Sequence, residues 1–219
     1  MPLYRCRKTR KRPAIDGMIR PAVWKQATPA SLVLADTGKP PKQPTEVRLL
    51  YDDDYLYVAF HCEDKDAWGA FTHRDDPVCG EEAVEIFIDP TRKQRSYMEI
   101  EVSPLNVIFD LYVLNDSRSP GIHFLQDWDC VGLRTAVHIE RDRNRRTKSW
   151  NCEMAIPFHQ MHDAPNIPPK PGDRWRMNLY RIDHLPRCDE YSAWSPTLKI
   201  DFHRPQHFGE LLFLAPGAK

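Results

Sequence analysis

The residues best suited to chemistry lie in Asp75-Asp76-Pro77-Val78-Cys79-Gly80-Glu81-Glu82-Ala83-Val84-Glu85-Ile86-Phe87-Ile88-Asp89, an acidic, turn-rich loop that runs into an apolar strand. With a period of two, Val84, Ile86 and Ile88 point into a core and Glu85, Phe87 and Asp89 share the opposite face. Carboxylates and aromatics side by side on a half-buried strand suit a surface that reads a polar ligand. Glu99 and Glu101 alternate in the same way. If their strand is a neighbour facing the same side, two of Glu85, Glu99 and Glu101 could form the acid and base pair of a glycosidase, which requires carboxyl groups roughly 5 to 9.5 Å apart across a cleft. Further on, Tyr191-Ser192-Ala193-Trp194-Ser195-Pro196 places a large flat ring in a turn context. There Trp194 either offers an open face for stacking or plugs the end of the fold.

Acidic groups also gather at 52–54, at Glu63, Asp64 and Asp66, and at Asp75, Asp76, Glu81 and Glu82. Calcium takes six to eight oxygen ligands in irregular geometry. Asp52, Asp54 and Asp64 are therefore candidate ligands for a structural calcium, although no EF-hand spacing is present; no other cofactor is required. There is no GxSxG elbow, phosphate loop or HExxH. Met98, Met154 and Met177 fall on apolar strand faces, where core packing explains them better than iron ligation.

Lys plus Arg equals Asp plus Glu at 31 each, so no global field draws nucleic acid or an anionic membrane. No apolar run is long enough to span a bilayer. The expected partner is a saccharide rather than a nucleic acid or a membrane, and the expected state is a monomer. Compartment is left open by the sequence. The six cysteines are widely spread with no CxxC, which argues against a zinc ribbon.

The elements that must position these groups are short strands. Runs 46–51 and 55–62 flank an acidic turn, and further strands fall at 84–89, 97–103, 107–113, 133–140, 149–156, 175–183 and 209–214. Pro157 opens a single helical turn. Trp24, which follows Ile15-Asp16-Gly17 and an apolar pair, and Trp150, in phase with Cys152, Met154 and Ile156, belong to the core, and Arg181 faces Glu153 as a buried pair. Strands at this spacing predict an all-β, antiparallel two-sheet β-sandwich, jelly-roll-like, with at most short helical turns. Residues 1–13, carrying Arg5, Arg7, Lys8, Arg10, Lys11 and Arg12, read as a basic N-terminal extension. Residues 14–214 form the sandwich and 215–219 a C-terminal tail.

Several short segments, in order, resemble a carbohydrate-binding module of family 9, related to the haem- and sugar-binding DOMON domains. They are Ile15-Asp16-Gly17 with Trp24; Val47 to Asp52 leading to Tyr55-Leu56-Tyr57-Val58; Arg74-Asp75-Asp76; Val84 to Asp89; Glu153 to Pro157; Gly172 with Trp175 and Asn178; Trp194-Ser195; and Phe208-Gly209-Glu210-Leu211. The resemblance implies non-catalytic binding of a plant-type polysaccharide or oligosaccharide end, in a slot between two tryptophans, in the service of carbohydrate catabolism and often beside a xylanase. It assigns Trp194 to the second tryptophan and Glu85 to a sugar-contacting carboxylate. Cys79 or Val78 takes the first tryptophan's place, and Glu101 and Ser103 replace basic and amide contacts. Trp68 or Phe71 could supply a substitute wall, and Asn178 and Tyr180 a floor. Arg74 and Asp76 form either a rim or a turn clamp. The related group leaves a haem-binding redox domain as the alternative, and a small glycoside hydrolase as a third.

Overall fold

A computed structural model describes residues 1–115, 121–185 and 189–217 of the 219-residue chain. In chain order the elements are β1 (Leu3–Lys8), α1 (Pro21–Trp24), β2 (Ala30–Ser31), β3 (Val33–Leu34), β4 (Thr45–Tyr51), β5 (Tyr55–Glu63), β6 (Ala83–Asp89), β7 (Ser96–Val102), β8 (Ile108–Asn115), β9 (Ile122–Leu125), β10 (Arg134–Arg141), β11 (Thr147–Pro157), β12 (Arg174–Asp183), β13 (Glu190–Ala193) and β14 (Gly209–Leu214). The β-rich reading holds, with α1 and three single 3-10 turns as the helical content of the described residues.

The strands run in the order β10-β11-β5-β4-β1-β14-β12-β6-β7-β8-β9, one sheet curled until its halves face each other as a sandwich. Between them lie Val47, Leu49, Val58, Phe60, Trp150 and Met154 from one half and Val84, Ile86, Ile88, Met98, Ile100 and Leu179 from the other. Met98, Met154 and Met177 are all core residues, as expected. Burying each such side chain contributes about 1.5 to 3 kcal/mol. Two smaller clusters cover the outer faces, one under α1 with Trp24 and Tyr57, the other built on Phe87, Tyr97, Phe109 and Tyr180.

The N-terminal residues depart from the expected extension. Leu3–Lys8 is the bend of the curl, parallel to β14 on one side and to β4 on the other, so the sheet is mixed rather than wholly antiparallel. Tyr4 and Cys6 point into the core while Arg5 faces solvent. The Tyr4 hydroxyl donates to the Thr28 carbonyl at 2.6 Å and accepts from the Leu49 amide at 2.8 Å. Lys8 and Arg12 meet the acidic turn between β4 and β5 by pairing with Asp53 and Asp54, and Arg12 also reaches Asp52 at 2.9 Å.

Arg181 is buried as expected, but with other partners. It donates to Asp64 at 2.7 Å and to the Glu63 carbonyl at 2.9 Å, with Asp183 at 3.2 Å. Glu153 instead accepts from the Trp24 indole at 2.6 Å and from the amides of Gly17 and Asp16 at 2.8 and 3.1 Å. Gly17 has φ +77°, and a Cβ there would lie 2.7 Å from the His138 nitrogen, which explains why glycine stands in that clamp.

Candidate functional site

On the outer face of the second half, register sets two rows of side chains across four strands. Tyr180 of β12 stands beside Glu85 of β6, then Glu101 of β7, then Phe109 of β8. Asn178, Phe87, Glu99 and Leu111 form the next row. Over these rows opens a cleft of about 440 Å³ with Glu85, Glu99 and Glu101 lining it. Phe109 and Leu111 form one apolar wall and Phe124 of β9 the rim, while the segment from Ile200 to His203 closes another side.

That segment is held in place by the strands. Phe202 stacks on Tyr180 with ring centres 4.0 Å apart, and the Tyr180 hydroxyl donates to the Phe202 carbonyl at 3.0 Å. His203 packs against Phe87 and Phe124, and its Nδ1 lies 3.0 Å from the Tyr97 hydroxyl. Burial holds this imidazole below its ordinary pKa.

The three glutamates can each place a carboxylate oxygen within 4.8 Å of the other two. All are buried, and no hydrogen-bond partner reaches Glu99 Oε2 or Glu101 Oε2. Burial raises the Glu101 carboxyl to about 7, even though a hydrogen bond with Glu99 opposes the rise. Glu85 and Glu99 are pushed well above the carboxylate range, first by burial and then by the charge of Glu101. These groups sit side by side on one floor rather than across a scissile bond, so they lack the opposed geometry a glycosidase pair needs.

Of the residues singled out in the sequence, Glu85 and Glu101 line the cleft, and so does Cys79, at the position matched to a tryptophan. Tyr180 lies beneath it, supporting Phe202. Trp194 is elsewhere: its ring lies over Gly209, where a Cβ would stand 2.3 Å from it, and meets Tyr4 edge-on with centres 6.3 Å apart. Asn178 ties down the strand end, with Oδ1 accepting from the Ser195 amide at 2.9 Å and Nδ2 donating to the Ser195 carbonyl at 2.8 Å. Ser103 Oγ accepts from the amides of Leu105 and Val107, closing the turn between β7 and β8.

Trp68 lies outside the cleft, beside the His184 ring. Phe71 packs against the outer aromatic cluster without lining the cleft. Arg74 pairs with Asp110 and, at 2.6 Å, with Asp129, while Asp76 accepts from the amides of Thr72 and His73. Neither of the two forms the rim. The three calcium candidates do not converge, because Asp52 and Asp64 sit at opposite ends of the nine-residue β5, a span of roughly 30 Å. Asp52 accepts from the Tyr57 hydroxyl and pairs with Arg12, Asp54 also pairs with Arg12, and Asp64 with Arg181.

Sequence reasoning missed Phe109, Leu111, Phe124, Phe202 and His203. The alternation of Phe109, Leu111 and Val113 carried a signal for the first two, since their register partners are Glu101, Glu99 and Tyr97. The irregular loop that carries Phe202 and His203 has no periodicity to read.

A sequence model for carbohydrate-binding family 9 matches residues 32–213. An extracellular protein of Arthroderma benhamiae is 25% identical over 192 residues, covering 82% of this chain and 84% of that one. Among solved structures, a protein from Bacteroides uniformis superposes with a TM-score of 0.76 at 16% identity, over 96% of this chain and 98% of its own. A family 9 carbohydrate-binding module from Caldicellulosiruptor kristjanssonii, in complex with cellotriose, gives 0.70 at 14% identity, over 99% and 95%. Its complex with glucose gives 0.63, also at 14% identity, over 98% of each chain.

Proposed function

The chain belongs to carbohydrate-binding family 9, whose members are non-catalytic binding modules, and we propose that its saccharide site is the cleft above Glu85, Glu99 and Glu101. The observation that carries this reading is the combination of a polar floor with apolar walls at Phe109, Leu111 and Phe124. Sugars present C–H faces to aromatic rings and hydroxyl donors to carboxylates, and the cleft offers both. A cleft of about 440 Å³ falls in the size range of small-ligand sites, which favours a terminal unit of an oligosaccharide or polysaccharide over a long internal run. The modules that hold cellotriose and glucose make plant-type glucan fragments the first ligands to test.

The test is calorimetric titration with glucose, cellobiose, xylobiose and galactose, comparing wild type with Phe124→Ala and Glu85→Gln. Calorimetry is preferred to tryptophan fluorescence because no tryptophan lines the cleft among the described residues. Phe124 is 44% exposed, so its truncation should leave melting nearly unchanged while weakening binding about fivefold to tenfold, the worth of about 1 kcal/mol of ring contact. Binding unaffected by both substitutions would place the saccharide elsewhere on the protein.

A further inference from the structure

Among the described residues three clusters of acidic side chains come close enough to share a cation, two of them fully buried and the third with only Asp110 buried, and they differ in one respect. Asp64, Glu82 and Asp183 surround Arg181, which pairs with two of them. Asp75, Asp110 and Asp129 surround Arg74, which pairs with all three. Glu85, Glu99 and Glu101 have no such partner, since no lysine or arginine lines the cleft among the described residues. The other ionisable groups facing them are Cys79, Tyr97, Tyr180, Tyr191, Asp201 and His203. His203 Nδ1 comes no nearer than 3.8 Å to Glu99, and Asp201 adds to the negative side.

We propose that the missing cation is carried by the ligand, and that the cleft selects a sugar bearing a free, protonated amino group, which Glu85, Glu99 and Glu101 receive. This rests on the cleft being the saccharide site and names the class of sugar. Two acceptor oxygens, on Glu99 at 4% exposure and Glu101 at 1%, are unpartnered and belong to residues that line the cleft. An ammonium has three N–H donors and no acceptor, which matches a floor of three carboxylates. At charge-assisted distances of about 2.8 Å, three acceptors arranged tetrahedrally around such a nitrogen lie about 4.6 Å apart. The glutamate oxygens can all lie within 4.8 Å of one another.

A bare divalent ion fits less well. Calcium needs six to eight oxygens, and although Gln126, Tyr191 and Asp201 also line the cleft, most of its wall beyond the triad is apolar, including the rings of Phe87, Phe109 and Phe202 and the Leu111 side chain. Those apolar surfaces suit the C–H faces of a hexosamine ring held by its amine. An ammonium also removes the like-charge repulsion that three neighbouring carboxylates would otherwise bear.

The experiment compares three β-1,4-linked tetrasaccharides of the same length by calorimetry: glucosamine, N-acetylglucosamine and glucose oligomers, with CaCl2 alone as a fourth titrant. The free-amine oligomer should bind at least tenfold more tightly than either neutral one, with affinity falling as salt is raised. Its preference should shrink to within about threefold in a Glu99→Gln, Glu101→Gln double variant, whose fold is checked by thermal melting. Binding of the neutral oligomers as tight as that of the amine would overturn the inference and leave the saccharide site standing. Failure of all three to bind would remove both. Saturable calcium binding that is lost in the double variant and competes with the amine would reassign the triad to a metal ion.

Discussion

Glu101 is 1% exposed, and burial raises its carboxyl from 4.5 to about 7. In the unfolded chain the group returns to its ordinary value. Between about pH 4.5 and about pH 7 the folded protein therefore keeps a proton that the unfolded chain has lost, so stability falls as pH rises and levels off above the folded value. A difference of about 2.5 units at 1.36 kcal/mol each amounts to roughly 3 kcal/mol at pH 8. Glu101→Gln keeps the shape and removes the titration. Relative to wild type, the variant should gain about 3 kcal/mol between about pH 4.5 and about pH 8.

The assay is urea unfolding of both proteins at steps across that range without ligand, reading the difference in free energy rather than either curve. Any constant offset reports the new amide's own hydrogen bonds, whereas the slope reports the carboxyl. Since the three glutamates titrate as a set, the slope measures the first charge the floor must carry. A difference that stays flat within about 0.5 kcal/mol would refute the reasoning. A variant that became relatively less stable as pH rose would mean the floor is built for an anion already satisfied within the protein. Saturating the cleft with a cationic ligand should abolish the slope, because the charge is then paired.

Trp194→Ala should cost about 2 to 4 kcal/mol in urea unfolding and leave saccharide affinity unchanged, since the ring fills space over Gly209 and against Tyr4; lost affinity at full stability would restore it to the site. Arg181→Met should destabilise by about 3 to 5 kcal/mol, because Asp64 and Asp183 would keep their burial and lose their counter-charge; a melting point within a degree or two of wild type would show the network to be dispensable. Removing residues 1–8 should abolish cooperative unfolding, because β1 joins β4 to β14 at the bend of the sheet; a truncated protein that still melts sharply near the wild-type temperature would show that the curl closes without it.

The strands that could be read were those whose side-chain period agrees with their burial. Val84, Ile86 and Ile88 announced β6, and Leu56, Val58, Phe60 and Cys62 announced β5, because each has one face on the central core. Leu3–Lys8 was hidden by composition: its inward residues are only Tyr4 and Cys6, and the basic residues between them and after them read as a solvated run until Asp52, Asp53 and Asp54 are seen to meet Lys8 and Arg12. Glu190–Ala193 was read as part of a turn because a four-residue strand has too few alternations to declare itself, and its pairing to β12 and β3 is a tertiary fact. Ile122–Leu125 escaped for the same reason.

The site divides along the same line. Phase within a strand revealed that Glu85 and Phe87 share a face, and that Glu99 and Glu101 share one too. Only register between strands shows that the two faces are the same and that Phe109 completes the row. For Trp194, aromatic character in a loop suggests an open face, whereas here a glycine on β14 makes room for the ring to lie over that strand. What made Glu85 conspicuous in the sequence, a charge among apolar residues, is also what makes its position costly in the fold. A floor of three acids with no lysine or arginine beside it among the described residues is a cost that packing alone does not offset. The two other acidic clusters among the described residues each hold an arginine, and that contrast is what the proposed cationic ligand of the third would resolve.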